Sequence, residues 1–190
     1  MNKFLFLHVS KCGGTSIKKA IKDVPNVYNF DGYDLDCLHL KIKKEMSNTT
    51  KFTIVRNPYS RLASAINMFR RKGYDISVHE VLDIVENEDV SHLFQFFKKK
   101  ESYIKRHCLP MCDRHYCLIH DGEMIVDKIY YFENFSKTIS EMENLLKTKL
   151  KVGHLNASKD KLIDFSKDEI ARINKIYQKD FEIFKYKIRS

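Results

Sequence analysis

The stretch that decides the fold reads Phe4-Leu5-Phe6-Leu7-His8-Val9-Ser10-Lys11-Cys12-Gly13-Gly14-Thr15-Ser16-Ile17. Phe4 to Val9 is a continuous apolar run with β-formers, the pattern of a buried strand in a parallel sheet. Ser10 to Gly14 is a loop. A helix starts at Thr15-Ser16-Ile17, with Ile17, Ala20 and Ile21 on one face. Strand, glycine-containing loop, helix is a context in which a loop binds phosphate. Gly13 and Gly14 let the backbone come close to an anion, and their N–H groups join the positive end of the helix. Thr15 and Ser16 add hydroxyl donors, and Lys11 adds a point charge.

The loop is not a Walker A loop, where Lys directly precedes Ser or Thr and a glycine stands five residues before the second one. Here Lys11 precedes both glycines and position 9 is Val. Nor is it G-x-G-x-x-G. It is a phosphate loop with its lysine on the strand side, or else a Gly-Gly turn with an ordinary helix cap.

A second segment has the same context. Phe52-Thr53-Ile54-Val55 reads as a strand, and Arg56-Asn57-Pro58-Tyr59-Ser60-Arg61-Leu62-Ala63-Ser64 continues from it into a helix. Pro58 stands in the first turn, where its missing N–H is harmless. Arg56 is placed at the strand's carboxyl end, where open α/β sheets bind ligands. Its planar fork suits phosphate or sulfate, and Ser64, eight residues on, is a neutral donor. Two basic strand-to-helix junctions on one sheet edge fit a ligand with two anionic ends.

Outward from these motifs, Leu38 to Met46 reads as a short helix. The helix after Pro58 runs to about Arg71, with Leu62, Ala65, Ile66 and Phe69 inward, and Gly73 ends it. Val78 to Val85 and Leu93 to Phe97 look helical, whereas 99–117 is polar, Cys/His-rich and irregular. Ile125-Val126 and Ile129 to Phe132 look strand-like. Phe135 to Leu146 is amphipathic, with Ile139, Met142, Leu145 and Leu146 on one stripe. Asp168 to Tyr177 is a last helix, with Phe181, Phe184 and Tyr186 after it as an aromatic anchor. Strands alternating with helices indicate an α/β fold with a central parallel sheet, one domain over residues 1–190.

Composition agrees with a folded chain: of 190 residues 43% are hydrophobic and 12% aromatic, which excludes disorder. The net charge of +9 points to an anionic partner. Five cysteines (Cys12, Cys37, Cys108, Cys112 and Cys117) are an odd set in a chain that is not Cys-dense, so a reduced, cytoplasmic setting is expected. No apolar run approaches the ~20 residues that span a bilayer, and Phe4 to Val9 is too short for a signal sequence. The chain reads as soluble, or as a domain whose anchor lies elsewhere.

His107, Cys108, Cys112, His115 and Cys117 invite a zinc reading, and Cys108-x3-Cys112 fits loosely. No second ligand pair stands downstream at the usual distance, so the expectation is no metal and a loop lining a cleft. Cys12 is either a low-pKa thiol at a helix N-terminus or a small side chain that fits.

The two motifs together carry a specific resemblance. Lys11-Cys12-Gly13-Gly14-Thr15-Ser16 resembles the 5′-phosphosulfate loop of sulfotransferases that use 3′-phosphoadenosine 5′-phosphosulfate (PAPS). Arg56 to Ser64 resembles their 3′-phosphate motif, R-[DN]-P-x-x-R-L-x-S. The pattern is similar to the carbohydrate branch that includes uronyl and heparan 2-O-sulfotransferases. His8-Val9-Ser10-Lys11 stands near that branch's H-I-P-K, with Ser10 for Pro. Tyr131 to Phe135 and Asp180 to Tyr186 resemble its later landmarks.

The resemblance implies a P-loop-like sheet flanked by helices that binds PAPS without a metal and sulfates a hydroxyl of an acceptor. The expected acceptor is a glycan or another hydroxyl-bearing molecule, acidic in character, with no nucleic acid and no membrane span. Cys12 belongs to the implied loop. Gly13, Gly14, Thr15 and Ser16 would hold the 5′-phosphate, and Arg56 and Ser64 the 3′-phosphate. Arg61 would either reach the ligand or brace the loop. Lys11 would stabilise the leaving oxygen, and His39, 17 residues before Arg56, would be the base. His107 is second, since His107-Cys108-Leu109-Pro110-Met111 is a weak H-x-x-P-Q, with Met111 where Gln is usual. His8, inside the strand, reads as a core residue. Asn156 and Ser158 would lie near the cofactor.

Two rival functions compete with sulfuryl transfer. A P-loop kinase or ATPase lacks its Walker A lysine here, and Asp127 is its one modest magnesium candidate. A non-catalytic module binding nucleic acid or glycan would use Arg70-Arg71-Lys72 and Lys98-Lys99-Lys100, clusters that could equally attract an acidic acceptor.

Overall fold

The computed structural model describes residues 2–30, 48–87, 100–113, 116, 118–120, 122–153 and 163–190. The helices expected over Leu38 to Met46 and Leu93 to Phe97 lie outside the described residues, as do Lys98, Lys99, Asn156 and Ser158. The chain is an α/β protein with a central parallel sheet flanked by helices. It gathers into two compact units that alternate in sequence: Met1–Arg56 with Met111–Asn156, and Asn57–Pro110 with Ala157–Ser190.

The first unit is built on a four-stranded sheet of β1 (Lys3–Leu7), β2 (Val27–Phe30), β3 (Thr49–Val55) and β6 (Lys128–Tyr131), in the order β2-β1-β3-β6. Every pairing is parallel, with Phe6 level with Asn29 on one side and Phe52 on the other. Leu5, Phe6, Leu7, Phe52, Ile54 and Val55 are buried. That near-continuous apolar content is why β1 and β3 are central strands. Buried Thr53 fits among them because its hydroxyl donates to the Leu7 carbonyl at 2.7 Å.

The first strand is shorter than its apolar run suggests. It stops at Leu7, although the His8 N–H still reaches the Phe30 carbonyl at 2.8 Å. Helix α1 (Gly14–Ile21) returns the chain to β2 and buries Ile17 and Ile21. After the sheet's last strand, a 3-10 turn (Phe132–Asn134) leads into α5 (Phe135–Leu146), whose buried positions are Thr138, Met142 and Leu146.

Two expectations fail in this unit. Ile125-Val126 is not a strand. The local hairpin is β4 (Ile119–His120) against β5 (Glu123–Met124), tightened by Gly122 at φ +80°. Ile125 only adds one bond, to the Leu118 carbonyl at 3.0 Å. Asp127 is no magnesium ligand at the loop. It precedes β6, where its carboxylate accepts from the Lys51 N–H at 2.6 Å and its own N–H donates to the Lys51 carbonyl at 2.9 Å. In a parallel sheet that is the end where strands start, opposite the loop after β1.

The second unit is helical: α2 (Pro58–Arg71), α3 (Val78–Glu86), α4 (Lys100–Cys108), α6 (Lys167–Ile176) and α7 (Gln178–Ile183). The Asn57 side chain caps α2 by accepting from the Tyr59 N–H at 3.1 Å, and Pro58 fills the first position. Leu62, Ala65, Ile66 and Phe69 are buried, as the 3.6-residue period predicts. Ser77 with Glu80, and Ser166 with Glu169, form reciprocal capping boxes on α3 and α6. Phe181 and Phe184 are buried, and Phe181 and Tyr186 belong with the cluster around Tyr59, Phe69 and Ile173.

Residues 100–108 are a helix, not the irregular loop that their composition suggests. Only Ile104 and Cys108 give α4 an apolar seam, so its pattern is weak in sequence. Tertiary bonds fix its end: the Tyr177 hydroxyl donates to the Cys108 carbonyl at 2.6 Å, and Arg61 donates to the carbonyls of His107 and Leu109.

Candidate active site

Strand order sets the site. The chain steps from β1 outward to β2 and then back across β1 to β3. The order therefore reverses at β1/β3, and the carboxyl ends of these two strands flank the crevice where open α/β sheets take ligands. The loop to Gly14 leaves the end of β1, and Arg56 leaves the end of β3.

The loop's backbone is shaped for close approach. Lys11 has φ +67°, a left-handed conformation that costs a non-glycine residue about 1–2 kcal/mol. Gly13, at φ +78°, is the N-cap of α1 and makes no side-chain cap. Its carbonyl takes the Ser16 N–H at 3.1 Å, while the first N–H groups of the helix have no partner within it. Thr15 is exposed and Ser16 half-buried, so both hydroxyls border solvent.

Each glycine has a ring against it. A Cβ on Gly13 would lie 3.1 Å from ring atoms of Phe132 and Phe135, and one on Gly14 would lie 2.0 Å from His8 Cδ2. Arg56 closes the cluster. It donates to the Lys11 carbonyl at 3.2 Å, and its guanidinium lies 4.3 Å over the Phe132 ring. Lys11, the helix N-terminus and Arg56 thus bring positive charge together at one end of the sheet. His8, Phe132 and Phe135 were not legible as site residues. The Tyr131 to Phe135 landmark named the segment without giving its rings a partner.

Cys12 turns inward. It is 1% exposed, and its thiol donates to the Ser10 carbonyl at 3.6 Å with Met111 Sδ at 4.0 Å. This burial agrees with the reading of a small side chain that fits.

Three more expected residues fall in the helical unit. Arg61 is 1% exposed, with its guanidinium donating to the Leu109 carbonyl at 2.7 Å and the His107 carbonyl at 3.4 Å. These bonds brace the end of α4. Ser64 is half-buried on α2. His107 is half-buried near the end of α4, with Nδ1 2.8 Å from the Tyr103 carbonyl and its ring 4.4 Å from the Tyr103 ring. His39 lies outside the described residues, as do Cys37, His115 and Cys117 of the cysteine and zinc considerations. Among the described residues no group of three His, Cys, Asp or Glu side chains could hold a metal ion. No described helix is long and apolar enough to cross a membrane.

Comparison with known proteins gives this geometry a family. No curated protein sequence matches the chain at a significant level. Among solved structures, the sulfotransferase from Alicyclobacillus acidocaldarius aligns with a TM-score of 0.61 over 96% of this chain and 93% of that one. At 13% identity, that likeness speaks for the fold. The family model described as "Sulfotransferase family" matches residues 1–187. With both strand-to-helix motifs inside that match, the chain belongs to the sulfotransferase family.

Proposed function

We propose that this sulfotransferase uses PAPS and sulfates a hydroxyl of a carbohydrate acceptor. The observation that carries the donor half is Arg56 bonded to the Lys11 carbonyl beside Gly13. Two motifs 45 residues apart thereby supply one cluster of anion donors. The donor set fits a nucleotide with phosphates at both ends: backbone N–H groups and hydroxyls on one side, a guanidinium fork on the other. Bound there, PAPS supplies an activated sulfuryl group.

The chain's own residues divide the remaining work. The N–H groups of Gly13, Gly14 and Thr15, with the Thr15 and Ser16 hydroxyls, hold the 5′-phosphate. Arg56 takes the 3′-phosphate, and Ser64 is assigned to it by the motif alone. Lys11 stabilises charge on the departing phosphate oxygen, a role electrostatic in kind. His39 accepts the acceptor's proton, with His107 the second choice. Arg61 acts as a brace. The carbohydrate assignment rests on the resemblance to the uronyl and heparan 2-O-sulfotransferase branch.

Calorimetric titration with 3′-phosphoadenosine 5′-phosphate (PAP) in EDTA tests the reading, with AMP and ATP as controls. Tight PAP binding and much weaker AMP binding are expected. No PAP binding, with ATP bound once magnesium is restored, would replace the reading with a kinase.

A further inference from the structure

His8 is the one polar side chain in the run Phe4-Leu5-Phe6-Leu7-His8-Val9. Its neighbours Leu7 and Val9 are buried, whereas His8 is half-buried. A residue set there only to fill space would be apolar. What the imidazole meets is Gly14, the first residue of α1. A Cβ on Gly14 would lie 2.0 Å from His8 Cδ2 and 2.4 Å from His8 Nε2. Among the described residues the glycines with positive φ are Gly13, Gly73 and Gly122. Gly14 has a helical backbone, which alanine adopts more readily than glycine. The glycine at this position therefore serves the ring. It leaves room for an imidazole where the helix would otherwise carry a Cβ.

That place has a direction. In a helix each Cα–Cβ bond tilts toward the N-terminus. Ring atoms standing where the Gly14 Cβ would be are on the side to which the first N–H groups of α1 point. The ring edge that carries Nε2 thus borders the same anion seat as those groups. The histidine is also held in place. Its N–H donates to the Phe30 carbonyl at 2.8 Å, and its ring lies at 24° to the Phe6 ring with centroids 6.1 Å apart. A donor fixed before its ligand arrives loses little freedom on binding it.

We infer that His8 is a further ligand-contacting residue, donating its Nε2–H to the anion held at the start of α1; that this anion is the 5′-phosphate of PAPS rests on the reading above. The role needs the proton on Nε2. His8 keeps that proton. It binds the phosphate alongside the N–H groups of the first turn and leaves the acceptor's proton to the base.

The test uses the full chain. Calorimetry compares PAP with adenosine 3′-phosphate, which lacks the 5′-phosphate, on wild type, His8→Met and His8→Gln. Met fills the space without a donor, and the Gln amide supplies an N–H where Nε2 stood. His8→Met is expected to bind PAP about tenfold or more weakly, the loss of one hydrogen bond to a charged group. It should bind adenosine 3′-phosphate like wild type. His8→Gln should stay within about threefold of wild type for PAP. In wild type labelled with 15N-histidine, the His8 Nε2 signal, assigned by its loss in His8→Gln, should move with PAP and with inorganic phosphate. Adenosine 3′-phosphate should leave it in place.

The inference is overturned if His8→Met binds PAP like wild type, or if the His8 signal stays still at saturating PAP. It is equally overturned if His8→Met loses both nucleotides alike, or if His8→Gln loses as much as His8→Met, because His8 then only packs. The wild-type spectrum decides the matter even if His8→Met does not fold. A His8 signal that moves with inorganic phosphate, in a protein that does not bind PAP, would uphold the residue while the PAPS reading fails. PAP binding with a motionless His8 signal would do the reverse.

Discussion

Gly14→Ala should destabilise this protein, although the general rule for helices says the opposite. Gly14 is the first residue of α1, and Gly to Ala within a helix ordinarily gains about 0.5–1 kcal/mol. Here the new Cβ would lie 2.0 Å from His8 Cδ2 and 2.4 Å from its Nε2. The His8 backbone is tied to Phe30 at 2.8 Å, so the ring must rotate or the loop must shift. Overpacking of this kind costs about 1–3 kcal/mol, which exceeds the propensity gain. In a His8→Ala background the space is open and the ordinary gain should return. The propensity gain is common to both backgrounds, so the coupling between the two substitutions is the overpacking cost itself, about 1–3 kcal/mol. The chain has no tryptophan, so urea unfolding is tracked by circular dichroism on wild type, both single variants and the double. Calorimetry should also show weaker PAP binding by Gly14→Ala, because the displaced turn carries the N–H groups assigned to the 5′-phosphate. A Gly14→Ala variant that is stabilised equally in both backgrounds would refute the reasoning.

Arg61→Met should cost roughly 2–4 kcal/mol in urea unfolding, because two carbonyls at the end of α4 lose a charged donor, and Arg61→Lys should restore only part of that. Unchanged stability with lost PAP affinity would move Arg61 onto the ligand instead. Lys11→Ala and His39→Ala should abolish turnover while keeping PAP binding, whereas Arg56→Ala should weaken PAP binding itself. Normal turnover by His39→Ala would transfer the base role to His107. The Lys149 ammonium first, and the Leu150 N–H second, hold the Glu143 carboxyl below its ordinary 4.5. A depressed carboxyl contributes stability above its unfolded value and loses it as pH falls through the folded one. Thermal melts between about pH 5 and pH 3 should therefore fall less steeply for Glu143→Gln than for wild type.

The sequence was legible where local pattern and tertiary role agree. Pro58–Arg71 and Phe135–Leu146 were readable because a cap or proline marks the start of one, and an apolar stripe runs through both. Lys100–Cys108 was not readable, since all its residues except Tyr103, Ile104 and Cys108 are polar or charged, and bonds from Tyr177 and Arg61 fix its end. Val27–Phe30 escaped notice because four residues with a central Asn carry too little period to separate a strand from a turn. In the site, Lys11, Gly13, Gly14 and Arg56 were visible as residue types at strand ends. The rings of His8, Phe132 and Phe135 were not, because a glycine's spelling does not say what presses against it.

That gap bears on how the loop works. A Gly-Gly turn alone is promiscuous and has many backbone states. Here Gly13 and Gly14 are each confined by an aromatic neighbour, and the left-handed Lys11 is tied through its carbonyl to Arg56. The same guanidinium lies on Phe132, and Phe132 packs on Gly13. The residue assigned to the 3′-phosphate therefore also braces the loop assigned to the 5′-phosphate. An anion drawing Arg56 toward it would act on the Lys11 carbonyl and the Phe132 ring in the same movement. On the proposed reading, binding at one end of the ligand would thus be mechanically joined to the loop shape at the other, through contacts that neither motif spells out.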